Sequence, residues 1–133
     1  MMKESDLLNF MVKPWVMIGS DGGGGHPRAF GSFARVLEVY TLEQGVLSMS
    51  EAIHKSTYLT AKTLNVKNRG LIKEGYYADI MLFDPHAIKA NSNWENGELL
   101  ASGVKYVLVN GEITIEDQKW TNVLNGRPLR LNE

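Results

Sequence analysis

Apolar and polar positions change their period once along this 133-residue chain, close to Asn65. Before that point the spacing is mostly helical. Ser5 to Met11 is a short amphipathic stretch with Ser5 placed as an N-cap, and Pro14 stops it. Trp15-Val16-Met17-Ile18 is apolar without alternation, which predicts a short strand over residues 15–20 buried on both faces, as in parallel α/β sheets. It runs into Gly19-Ser20-Asp21-Gly22, and the C-terminal end of such a strand is where those sheets place their chemistry. A glycine loop, Gly22 to Gly25, leads through His26-Pro27-Arg28 into a helix over about 30–44. Phe33, Val36, Leu37 and Tyr40 share one face of it, while Arg35, Glu38 and Glu43 point elsewhere. Gly45 can close it in the left-handed conformation. Ser48 and Glu51 have capping-box spacing and open a second helical stretch over about 49–64, with Ala52, Ile53 and Ser56 on one side and Asn65 as a left-handed stop.

After Asn65 the pattern is that of strands. Gly70 and Gly75 punctuate the approach to Tyr77–Asp84, which reads as a strand. Residues 91–103 are polar and irregular. Tyr106–Val109 and Glu112–Ile115 flank Asn110-Gly111, the pair that favours a two-residue type I′ hairpin. The tail from Gly126 to Arg130 reads as a short edge strand, because Pro128 would not suit a central one. The chain thus divides into an α-rich half, 1–65, and a small antiparallel β module, 66–133.

Composition narrows the function classes. A net charge of −1, with 22% charged and 44% hydrophobic residues, fits an ordinary globular chain and gives no electrostatic case for nucleic acid or an anionic membrane. There is no cysteine, so neither a disulfide framework nor a Cys-based zinc site can form within the chain. No apolar run approaches the roughly 20 residues that span a bilayer. Met1 to Leu8 carries Lys3, Glu4 and Asp6 instead of an apolar signal core, so a cytoplasmic location is expected.

Few residues offer chemistry. Asp21 stands at the end of the expected strand, where a carboxylate can act as a base, although Asp-Gly is also common in turns. Arg28 could hold a carboxylate bidentately or serve as a surface cation at a helix start. His26 reads as a residue that shapes the loop beside Arg28. His54 lies mid-helix, and His86 follows Asp84-Pro85 as turn chemistry. Trp15, Trp94 and Trp120 are too scattered to form a platform and read as core or rim residues.

Five collinear blocks carry a family resemblance. They are Pro14 to Gly22, His26 to Leu37, Gly45 to Ser48, Arg69 to Ile80 and Val107 to Gly111. Together they resemble the N-acyl-D-amino-acid deacylase (D-aminoacylase) branch of the amidohydrolase superfamily. The resemblance implies an α+β fragment: the last strand and closing helices of a (β/α)₈ barrel, followed by the C-terminal part of a small antiparallel β-sandwich. It departs from the family pattern at Thr60, where proline is usual, at Asn65, where glycine is usual, and in a short loop between Asp21 and His26.

The resemblance also implies roles. Asp21 matches the carboxylate that takes a proton from a zinc-bound water and passes it to the leaving amine. Arg28 matches the position that binds the substrate's α-carboxylate, with His26 beside it, and Asp79 matches a structural position. Catalytic zinc wants about three protein ligands, and a complete barrel needs about 250 residues. Neither is contained here, so zinc is expected in the intact enzyme and none is expected in this chain alone, which should be inactive. Three readings stay open: a piece of a deacylase, a subunit of a split amidohydrolase, or a non-catalytic interaction or oligomerisation module. An unpaired strand and helix face call for a partner through residues 5–45, either another copy or a barrel-bearing chain.

Overall fold

The computed structural model describes residues 3–130; the outermost ends of the two expected halves, 1–2 and 131–133, lie outside the described residues. Helix α1 (Glu4–Met11) starts two residues earlier than a cap at Ser5 predicts, and Ser5 is inside it. Lys3 stands at the N-cap, where its N–H donates to the Asp6 carboxylate at 3.0 Å. Asp6 is the third residue of the helix, and its carboxylate takes the N-cap N–H as the acidic member of a capping box does.

The predicted strand at 15–20 does not form. Trp15 is 69% exposed and Val16 to Ile18 are half-buried, so the segment is not enclosed on both faces. A parallel strand needs neighbours to complete its ladder, and none of the described elements pairs with it. Its backbone is held by α3 (Met49–Ser56) instead. The Ile18 N–H donates to the Lys55 carbonyl at 3.2 Å, while the Lys55 ammonium donates to the carbonyls of Lys13 and Val16, the latter at 3.1 Å. Lys55 is only 4% exposed, a buried cation stabilised by carbonyl dipoles.

Helix α2 (Arg28–Arg35) passes without a break into a π-helical extension (Val36–Glu43). The wider turn is closed by the Gln44 N–H on the Val39 carbonyl and the Thr41 hydroxyl on the Val36 carbonyl, both at 2.9 Å. Val36, Leu37 and Tyr40 are buried as their spacing predicts, but Phe33 is 46% exposed. Gly45 takes φ +62 and ends the helix. The Ser48–Glu51 capping box forms in both directions at the start of α3. On α3 the inward residues are Ala52 and Lys55, whereas Ile53 is exposed. Thr57 breaks the helical stretch before α4 (Tyr58–Thr63), and Asn65 follows at φ 53.

The second half is a four-stranded antiparallel meander of β1 (Ile80–Phe83), β2 (Val104–Val109), β3 (Glu112–Glu116) and β4 (Lys119–Trp120). Asn110 and Gly111, at φ 49 and 87, make the β2–β3 turn with both central residues left-handed, as a type I′ turn requires. The β3–β4 turn uses Asp117 and Gln118 in the same way, at φ 45 and 64. No strand forms over 126–130; the tail is held at the β2–β3 turn instead, its Asn125 side chain donating to the Val109 carbonyl at 3.2 Å.

One buried cluster joins the two halves. Met11, Ala34, Val36, Leu37, Tyr40, Leu47 and Ala52 from the helices meet Ile88 from the β1–β2 connection, with Phe83 and Val104 packed against them. Gly103, at φ +83, allows that connection to fold back. A Cβ there would stand 2.4 Å from the backbone of Ala87 and Ile88. Both faces of the sheet carry exposed apolar side chains, Met81 and Trp120 on one and Leu82 and Ile113 on the other.

Candidate functional site

Asp21 sits at φ 46, a left-handed conformation that an Asp side chain tolerates better than most. The bend turns its carboxylate outward: the side chain is 87% exposed and accepts from the Arg28 guanidinium at 2.9 Å. Arg28 is the first residue of α2, and its backbone N–H donates to Nδ1 of His26 at 3.1 Å. That bond makes Nδ1 the acceptor and leaves Nε2 to carry the proton of the neutral ring. The three residues singled out in the sequence are therefore adjacent, with His26 orienting the start of the helix that carries Arg28. An exposed ion pair of this kind contributes about 0–1 kcal/mol, so it positions the guanidinium and carboxylate more than it stabilises the fold.

A segment distant in sequence forms the opposite wall. The Ser92 hydroxyl donates to the Pro27 carbonyl at 2.8 Å, and the Ala90 N–H donates to the Glu38 carboxylate at 2.8 Å. Gly31 and Gly97 permit this close approach: a Cβ on either would come within 2.3 Å of Ser92 Oγ or the Gly25 carbonyl. Trp94, 82% exposed, meets the His26 ring edge-on with centroids 4.5 Å apart. The result is an open cleft of about 310 Å³ lined by Arg28, Arg35, His26, Asn93 and Trp94. Two guanidinium groups, an amide and two aromatic rings suit a small ligand with both an anionic and an apolar part. Trp94 thus belongs to the cleft, where its isolated position in the sequence had suggested a core or rim residue.

The other histidines stay apart. His54 packs on Tyr58 at 6.0 Å on the helical half, and His86 lies in the turn where its N–H donates to the Asp84 carboxylate at 2.9 Å. Among the described residues no three of His, Cys, Asp or Glu converge as a metal site would need. Asp21 alone is a single oxygen donor already paired to Arg28, so these residues do not by themselves fit a zinc site. Asp79 is built into the β module, accepting from Arg69 and from the Asn110 N–H, the latter at 2.9 Å.

Comparison with known proteins bears on the family of the chain. The amidohydrolase family model matches residues 4–114, and the chain belongs to that family. Its relatives within that family include deacylases and dihydroorotases. The chain is 35% identical over 133 residues to a D-aminoacylase of Alcaligenes xylosoxydans xylosoxydans, covering 97% of this chain and 28% of that protein. It is 36% identical over 115 residues to an N-acyl-D-aspartate deacylase of the same organism, covering 84% and 23%. A D-aminoacylase crystal structure superposes with a TM-score of 0.88 at 37% identity, over 92% of this chain and 27% of that one. The N-acyl-D-glutamate deacylase of Bordetella bronchiseptica, solved with zinc and a phosphonate mimic of the tetrahedral intermediate, superposes at 0.82 with 33% identity, over 85% and 25%. The chain spans about a quarter of the length of these relatives.

Proposed function

We propose that this chain is the C-terminal part of a zinc-dependent amidohydrolase that cleaves the amide bond of N-acyl-D-amino acids. The observation that carries the reading is the outward-facing Asp21 carboxylate, 2.9 Å from Arg28 at the mouth of the cleft. In this reading residues 1–65 belong to the barrel and 66–133 to the β-sandwich. The zinc ligands come from polypeptide other than these residues. The isolated chain is inactive and holds no zinc of its own.

The chemistry assigned to this chain is proton transfer and orientation. The Asp21 carboxylate takes a proton from the attacking water as its oxygen bonds to the amide carbon. When the C–N bond breaks, the same proton passes to the departing nitrogen, leaving the acyl acid and the free amino acid. Arg28 holds the α-carboxylate through two N–H donors of its planar fork, displacing Asp21 from the guanidinium as the substrate seats. His26 shapes the loop that supports Arg28.

A partner through residues 5–45 completes the assembly, either a barrel-bearing chain or a second copy. Phe10, Val12, Trp15, Phe30, Phe33 and Leu42 all lie exposed in that span, an apolar surface that a free monomer would leave in water. The experiment is Asp21→Asn in the protein completed by its barrel, with turnover of N-acetyl-D-methionine and zinc content both measured. Turnover should fall by roughly 10²-fold or more with zinc unchanged, because the amide keeps the shape but cannot accept the proton. Near-normal turnover removes Asp21 from the mechanism.

A further inference from the structure

The cationic side chains are unevenly spread. Of the 14 lysines and arginines in the sequence, Lys67, Arg69, Arg127 and Arg130 line one pocket of about 70 Å³. No carboxylate shares its lining among the described residues. Arg69, 8% exposed, has its charge answered by Asp79 and donates to the Asn110 side-chain oxygen at 2.5 Å. Lys67, Arg127 and Arg130 enter no ion pair among the described residues.

Two of these cations share one ring. The guanidinium carbons of Arg69 and Arg127 lie 4.1 Å and 5.2 Å from the Tyr77 centroid, and Arg127 also donates to the Tyr77 hydroxyl at 2.9 Å. They are therefore closer together than one Debye length, about 10 Å at 0.1 M salt, and of the two only Arg69 has a carboxylate partner among the described residues. A ring face at an exposed site returns only about 0.5–1 kcal/mol per cation. Among the described residues, the other three cations of the pocket have no carboxylate partner.

Its walls are nonetheless fixed. The Asn110 amide donates to the Asn125 carbonyl at 2.6 Å, which ties the tail bearing Arg127 and Arg130 to the hairpin. On the other side the Tyr77 N–H donates to the Asn68 carbonyl at 2.9 Å, next to Lys67. The cations converge because backbone and amide bonds hold both segments.

We infer that this pocket binds a small oxyanion, phosphate in preference to a carboxylate, bridging Lys67 to Arg127 and Arg130. The fork of an arginine and the point charge of a lysine together suit a compact group with several charged oxygens. Binding there fastens the C-terminal tail to the loop after α4. It is separate from the Asp21–Arg28 cleft and does not depend on the function proposed for that cleft.

Titration of the 133-residue chain with inorganic phosphate at constant ionic strength tests this, by calorimetry and by the backbone amide shifts of Lys67 and Asn68. The expected result is one saturable phosphate per chain, with acetate weaker by about tenfold or more. Lys67→Gln and Arg127→Gln should each weaken phosphate by about tenfold, the loss of one charge-assisted bond. Both residues are exposed, so the fold should survive, and Arg35→Gln in the other cleft should leave the affinity unchanged. Three results overturn the inference: a response no larger than chloride gives, phosphate binding that survives the Lys67→Gln/Arg127→Gln double change, or acetate binding as tight as phosphate.

Discussion

Asp79→Ala should be among the most damaging single changes in the β module. The carboxylate it removes serves two donors, the Arg69 guanidinium and the Asn110 N–H at 2.9 Å. The side chain left behind is the decisive one: Arg69 is 9% exposed against 34% for Asp79. Removing one partner of a buried pair costs about 3–5 kcal/mol, because the other charge is stranded away from water. Arg69 keeps its bond to the Asn110 oxygen and the Tyr77 ring, so the low end applies, about 3 kcal/mol. That corresponds to a fall in Tm of about 10 °C for a chain of this size. The converse change, Arg69→Met, strands a carboxylate that water can reach and should cost only about 1–2 kcal/mol. Urea unfolding followed by far-UV circular dichroism measures both. Equal costs, or a larger loss for Arg69→Met, would refute the argument that the buried cation sets the scale.

Two glycines separate backbone strain from steric clash. Gly111→Ala, at φ 87 in open space, should cost about 1 kcal/mol by urea unfolding; Gly103→Ala, at φ 83 with backbone atoms 2.4 Å from the new Cβ, should cost about 4 kcal/mol or more. The capping box sets an acid dependence: the Ser48 hydroxyl and then the Ser48 N–H hold Glu51 below its ordinary pKa of 4.5. A depressed folded pKa means that this contribution is present above the unfolded value and is lost as pH falls through the folded one. The urea midpoint of Ser48→Ala should therefore change less than the parent's between about pH 6 and about pH 3. Parallel curves would remove Glu51 from the acid response.

What could be read in the sequence was set by distance along the chain. The Ser48–Glu51 box, the left-handed Gly45 and Asn65, and the Asn110-Gly111 hairpin each depend on residues within a few positions, and each forms. Ser5 lost the cap because Asp6 reaches back to the Lys3 N–H. The β3–β4 turn escaped notice because Asp117 and Gln118 adopt positive φ without the glycine that signals it. Residues 15–20 have the apolarity of a strand but no neighbour to pair with, and the ammonium that holds them, Lys55, carries no local signal of burial. At the candidate site, the adjacency of Asp21, His26 and Arg28 was legible because they are close in sequence. The Trp94 wall was not, since Ser92 reaches Pro27 across 65 residues. The Arg69–Asp79–Asn110 network is hidden for the same reason, its members tied across 31 and 41 positions.

The central claim, that this chain supplies the proton-transfer carboxylate of a deacylase whose metal ligands lie elsewhere, is tested most directly by complementation. The purified chain is assayed alone on N-acetyl-D-methionine with metal analysis, then again after mixing with the barrel-bearing remainder. The account predicts no turnover and no stoichiometric zinc for the chain alone, and turnover with bound zinc once the remainder is present. One tightly held zinc per isolated chain with hydrolysis above the blank would contradict it, and so would a completed assembly that holds zinc yet leaves the substrate intact.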